Sequence, residues 1–190
     1  MITEFTAEFR AFKSKAEHLF RAIEPDEGVI RPAPAKWSIQ ECFEHLSRTG
    51  YLYLNKAWYV MENPPEIVQD NVACTYRRHI RWFIWLMEPP YRWKLRAPKS
   101  FRPTREPKMD RLDKTLEQFI NLQNQFIKLI DNMQERDTLP GRITSPLTKW
   151  LDFTPCEFFA AVAAHQRRHL WQAEKTLQAV RRITETSVSD

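Results

Sequence analysis

Glycine is nearly absent from this chain: Gly28, Gly50 and Gly141 are the only three in 190 residues. No GxGxxG, Walker loop or GxSxG elbow can be assembled from them, which excludes the common phosphate cradles and the hydrolase nucleophile turn. Scarce glycine beside 13 prolines also fits poorly with a β-sandwich and its many tight turns. It suits long helices separated by stiff loops. Cysteine is equally sparse. Cys42, Cys74 and Cys156 make an odd count with no CxxC pair, so neither a disulfide framework nor a cysteine zinc site is expected, and a reducing cytoplasm is the default compartment. No apolar run approaches the length of a membrane span, so no membrane partner is expected. The opening MITEFTAEFRAFKSKAEHLF carries charge throughout and lacks the apolar core of a secretory signal.

What is present argues for a folded unit. The chain is 43% hydrophobic and 13% aromatic, well outside the composition of disorder. Its length predicts one domain over 1–190 that buries its own core. Prolines divide it into five helix-like stretches. In 3–24, Phe5, Phe9, Phe12, Ala16, Leu19 and Ile23 recur at three- and four-residue spacing, one amphipathic stripe. A second helix opens at Ser38-Ile39-Gln40-Glu41, a capping box in which serine and glutamate satisfy free backbone donors. It runs to about Met61, and Trp37 is placed as a hydrophobic staple. A third, shorter helix is predicted over 70–88. The stretch 89–109 then holds five prolines and little periodicity, and loops of that length are uncommon unless functional or mobile. The fourth helix, 110–136, carries Leu112, Leu116, Phe119, Ile120, Phe126, Ile127 and Ile130. The fifth starts at Thr154-Pro155-Cys156-Glu157, another capping box with proline at the first helical position. It is expected to reach about Ile183 and fray over 184–190. These stretches predict an all-α, antiparallel four-helix bundle with one extra short helix and a long Pro-rich basic loop.

Three of the five histidines form a pattern. His165 and His169 stand at i and i+4, so both leave the same helix face. On the wheel they share an apolar arc with Phe158, Ala161, Val162, Ala173, Val180 and Ile183. Imidazoles in a core stripe need partners, either neighbouring polar groups or a metal. His45 lies midway along the second helix at the edge of its apolar arc. Bundles build metal sites from side chains projecting inward from facing helices. Three imidazoles supply three ligands and leave a position open, as catalytic sites do. The donor set favours one divalent ion such as zinc, nickel or iron over magnesium or calcium. The Ala160, Ala161, Ala163 and Ala164 cluster leaves room for a bound water or substrate, and serves close helix packing equally well.

The segment Trp37-Ser38-Ile39-Gln40-Glu41-Cys42-Phe43-Glu44-His45-Leu46 resembles the W-S-x-x-E-x-x-x-H-L signature of the DinB-like (YfiT-like) metal-binding four-helix bundles. Ala164-His165-Gln166-Arg167-Arg168-His169-Leu170-Trp171-Gln172 is similar to the C-terminal H-x-x-x-H-x-x-Q helix of that family. Helix order, the Pro-containing loop before the fourth helix and Ser145-Pro146 also fit. The resemblance implies His45, His165 and His169 as ligands of one divalent metal. It implies kinship with thiol-dependent transferases and isomerases and with metal-dependent hydrolases, without choosing among them. A bound ion would acidify a coordinated water or thiol for attack on a small electrophilic substrate. Glu41 is either a carboxylate that orients His45 or simply the capping-box acid. Gln172 either holds substrate or water at the metal or pairs inside the bundle.

The remaining candidates are weaker. His79 could line the pocket or sit at an aromatic edge, His18 lies off the apolar stripe, and Cys42 reads as a buried hydrophobe. Between Tyr76 and Arg111 positive charge concentrates: Arg77, Arg78, Arg81, Arg92, Lys94, Arg96, Lys99, Arg102, Arg105, Lys108 and Arg111. Aromatics interleave it, notably Trp82, Trp85, Tyr91, Trp93 and Phe101. This run reads first as a solvated surface. Second, it could draw an anionic small substrate, such as a carboxylate-bearing thiol, to the metal. Contact with single-stranded nucleic acid ranks last, since no nucleic-acid motif accompanies it. A non-enzymatic metal-binding or stress-response bundle is the alternative function, and a homodimer is compatible with the aromatics and the resemblance.

Overall fold

A computed structural model describes residues 2–63, 67–69, 74–90, 93, 97–103, 106–135 and 138–188. In chain order the elements are α1 (Glu4–Ala22), α2 (Ile39–Glu62), β1 (Ile67–Gln69), α3 (Arg78–Met87), 3-10 turns at Lys99–Phe101 and Met109–Arg111, α4 (Leu112–Glu135), β2 (Thr138–Pro140), β3 (Ile143–Thr144), β4 (Asp152–Phe153) and α5 (Pro155–Val188). The predicted stripes make the core. Phe9, Phe12, Ala16 and Leu19 of α1 are buried, as are Ile39, Phe43, Leu46 and Ala57 of α2 and Phe119, Phe126 and Ile130 of α4. Phe9 stacks on Phe126 at 5.0 Å, and Phe43 meets Phe119 edge-on at 4.9 Å.

Around the bundle the order is α1, α4, α2, α5. Lys13 meets Asn124 and Phe9 meets Phe126, so α1 and α4 are antiparallel. Trp37 reaches Thr176 while Tyr53 reaches Phe158, so α2 and α5 are antiparallel as well. The other two neighbouring pairs run parallel. Gln40 bonds the backbone of Lys108 and Tyr51 bonds Asn121 across α2 and α4. Phe5 packs on Phe159 and Lys15 pairs with Glu174 across α1 and α5. Parallel neighbours need long crossovers, which explains the loops that carry the prolines. Where α2 passes α4, Gly50 lies so close that an added Cβ would sit 2.3 Å from Leu122 Cδ2; no larger residue keeps that approach unchanged.

Several expectations need correction. The third helix begins at Arg78 rather than 70, and residues 70–73 lie outside those described. Two small antiparallel sheets, β1 with β2 and β3 with β4, were not anticipated, because two- and three-residue strands leave no period to read. Helix α5 continues past Ile183 to Val188, and Ile183 is exposed rather than on the buried arc. Cys74 and Cys156 are joined as a disulfide, against the expectation that no cysteine pair forms. They lie 82 residues apart and far from any CxxC spacing, so only the tertiary fold brings them together.

Beside this bond stands a dense ionic cluster. The predicted cap of α5 is present, with Glu157 N–H donating to Thr154 Oγ1 and Thr154 N–H to Glu157 Oε2. The same carboxylate accepts from the Arg77 backbone N–H at 2.7 Å and from its guanidinium, which also reaches Asp152. Burial alone would raise the Glu157 pKa; the donors from Arg77 and Thr154 outweigh it and hold the carboxyl below its ordinary value. A lowered native pKa means that this stabilisation is complete above the unfolded pKa and is lost as pH falls through the native one. Glu157→Gln should therefore cost about 2 kcal/mol at pH 7, with the difference from wild type shrinking toward pH 3. Thermal unfolding of both proteins across that range measures it.

Candidate metal centre

The site forms where α2 crosses α5. The capping box of α2 is complete, with Glu41 N–H donating to Ser38 Oγ and Ser38 N–H to Glu41 Oε2. The first turn thus has a fixed phase, and His45, one turn on, points toward α5. On α5 the i, i+4 spacing aims His165 and His169 back at it. One ring nitrogen from each of the three lies within 4.8 Å of the others. His45 and His169 are buried and His165 is partly exposed.

Each of two rings is held through its other nitrogen. His45 Nδ1 is 2.5 Å from the Phe101 carbonyl oxygen, which can only accept, so Nδ1 carries the proton and Nε2 presents a lone pair. His169 Nδ1 is 2.9 Å from Gln172 Oε1, giving the same tautomer by the same logic. His45 Nε2 then faces His165 Nε2 at 3.2 Å. Two nitrogens at that distance share either a proton or a cation. Zinc–nitrogen bonds of 2.0–2.1 Å in a tetrahedron place ligand nitrogens roughly 3.3 Å apart, so the donor set fits a divalent ion.

The electrostatics favour the ligand form. Burial pushes His45 down to about 4 against the opposing pull of the Phe101 carbonyl. Burial, then the neighbouring imidazoles and Arg168, take His165 and His169 well below the ordinary value. All three are therefore neutral at pH 7, as a metal requires. Trp37 covers the group, its ring 4.9 Å from that of His45 and stacked on His169 at 5.9 Å.

A family model described as the DinB superfamily matches residues 8–173. The chain belongs to the DinB superfamily. No curated protein and no solved structure matches it. A buried three-histidine group fits a metal-binding family, and both motif segments of this DinB-superfamily chain contribute to it.

The weaker candidates separate cleanly. The Glu41 carboxylate is taken up by its cap and by a two-point bridge to Arg31 at 2.8 Å. Gln172 acts through His169. Cys42 is buried, and burial pushes its thiol up and away from reactivity. His79 and His18 are exposed. Of the basic run, Arg78, Arg81, Lys99 and Arg102 are exposed, Arg77 is ion-paired, and Tyr91, Arg92, Lys94, Arg96 and Arg105 lie outside the described residues.

Three contributors were missed. The Phe101 carbonyl has no residue-type signature, since every residue offers one. The hint was a lone phenylalanine in a proline-rich polar loop. Arg168, nearly fully buried, donates to the carbonyls of Leu86 and Trp93 and so fastens the start of that loop to α5. Trp37 was read as a staple, and its contact with His169 depends on the α2–α5 crossing. Gln172→Ala, which removes the acceptor on His169 Nδ1, should weaken zinc binding roughly 10- to 100-fold, whereas Phe101→Ala keeps the backbone carbonyl on His45 and should weaken it less. Glu41→Gln should leave it within about threefold while costing about 1 kcal/mol of stability. Competition with a chromophoric chelator and thermal melts read the two effects separately.

Proposed function

We propose that this chain is a divalent-metal-dependent enzyme acting on a small substrate, by low-molecular-weight thiol transfer or by hydrolysis. The observation that carries this reading is the convergence of three neutral imidazoles within 4.8 Å, two of them locked by a partner on Nδ1. His45, His165 and His169 hold the ion, which when bound supplies Lewis acidity and lowers the pKa of a thiol or water. The Phe101 carbonyl and Gln172 fix ring orientation. Trp37 excludes water on one side. His165 is the most exposed of the three, and its side is the approach for substrate. The Arg168 guanidinium, close enough to depress His165 and His169, adds fixed positive charge that favours an anionic substrate such as a thiolate-bearing acid. Zinc, nickel and iron all match the donors.

A second reading, a non-enzymatic metal-binding bundle, is favoured by the cover that Trp37 places over two of the three rings. Elemental analysis of untagged protein tests the common premise. About one ion per chain is expected in wild type, with loss in His169→Ala. Absence from both, with no uptake on reconstitution with zinc, nickel or iron, overturns it. Cobalt substitution then divides the readings. Thiol- or anion-induced spectral change marks an exchangeable position, as an enzyme needs, and an unresponsive spectrum assigns the bundle a binding role.

A further inference from the structure

Tryptophan is mostly buried in folded proteins, yet four of the seven here are exposed. Trp82, Trp85, Trp93 and Trp150 stand at 53%, 47%, 61% and 96% of full exposure. Three of these cluster by construction. Helix α3 reads Arg-His-Ile-Arg-Trp-Phe-Ile-Trp-Leu-Met, with no acidic residue. Ile80 is buried against the bundle, and Arg78, Trp82 and Trp85 recur at i, i+4 and i+7 on the opposite face, with Arg81 beside them. Trp93 is held near the end of that helix because Arg168 donates to the carbonyls of both Leu86 and Trp93. The start of α3 is tied to the strand that follows the fourth indole. Arg77, just before α3, pairs with Asp152, two residues beyond Trp150 in the β3–β4 loop. That loop also exposes Leu147 and Lys149.

The surface therefore joins indoles and cations around a helix that carries no acid. What covers it must be anionic and must accept half-buried aromatic rings. We propose that this face seats on the headgroup layer of an anionic membrane. Indoles partition to the bilayer interface, and nearby arginines gain from anionic lipid. Such a contact lies on the membrane rather than crossing it, and none of the described helices is long and apolar enough to cross one. A second copy of the chain is a poor occupant, because the α3 face would meet its own positive charge. Single-stranded nucleic acid needs a groove or platform that follows the phosphates, whereas these side chains stand on a convex helix and a loop tip.

The test is co-sedimentation of the full chain with vesicles of phosphatidylcholine and phosphatidylglycerol against phosphatidylcholine alone. Binding should require the anionic lipid, weaken with salt, and shift tryptophan emission to the blue. Arg78→Gln and Arg81→Gln should each weaken it roughly fivefold. Trp150→Ser, and Trp82→Ser with Trp85→Ser, should abolish the emission shift and most of the pelleting. These side chains are exposed, so the variants should keep the wild-type circular dichroism. No pelleting at low salt overturns the proposal, as does equal pelleting by the variants. Binding to a single-stranded oligonucleotide that anionic vesicles fail to displace also overturns it and assigns the face to nucleic acid.

Discussion

The α2–α5 crossing constrains this molecule more than any other contact, because it brings three imidazoles together away from water. Removing a polar ring from solvent is costly unless its nitrogens are satisfied, and two of the three rings are satisfied by groups outside the trio. The Phe101 carbonyl comes from a loop 56 residues away in sequence, and the Gln172 amide from one turn along the same helix. Both take the Nδ1 proton and leave Nε2 bare. The tautomer, and with it the ability to bind a cation, is thus decided outside the histidines themselves.

The two helices that carry the site are anchored in the same way. Each starts with a capping-box glutamate, Glu41 in α2 and Glu157 in α5, and each glutamate is also gripped by an arginine from another segment. Arg31 precedes α2 and holds Glu41; Arg77 precedes α3 and holds Glu157. A cap alone fixes the phase of the first turn. The added guanidinium ties that turn to the neighbouring segment. The disulfide between Cys74 and Cys156 joins the same two segments as Arg77 and Glu157, so the start of α5 is fastened to the approach to α3 twice.

The proline-rich stretch between α3 and α4 is the other shared element. Arg168 secures its first part and Phe101 its middle, and Gln40 takes both backbone groups of Lys108 near its end. Three polar anchors on α2 and α5 thus fix the described parts of this segment beside the site. The exposed indoles of α3 and the β3–β4 loop stand outside this arrangement, which is why they can serve a surface contact independent of the histidines.

The helices, their stripes, both capping boxes and the three histidines were legible in the sequence because all are local. A period of 3.6 residues, a Ser-x-x-Glu spacing and an i, i+4 pair each express geometry within one helix. The parallel pairing of α2 with α4, the start of α3 at Arg78, the short sheets and the Cys74–Cys156 bond were not legible. Each depends on segments distant in sequence, and two- or three-residue strands carry no period. For the site the division is equally clear. The sequence by itself determined which imidazoles could converge, since helix phase orders them. Only the tertiary structure decided which nitrogen each of His45 and His169 presents, because that choice rests on a backbone carbonyl and a side-chain amide whose positions the chain's local pattern does not encode.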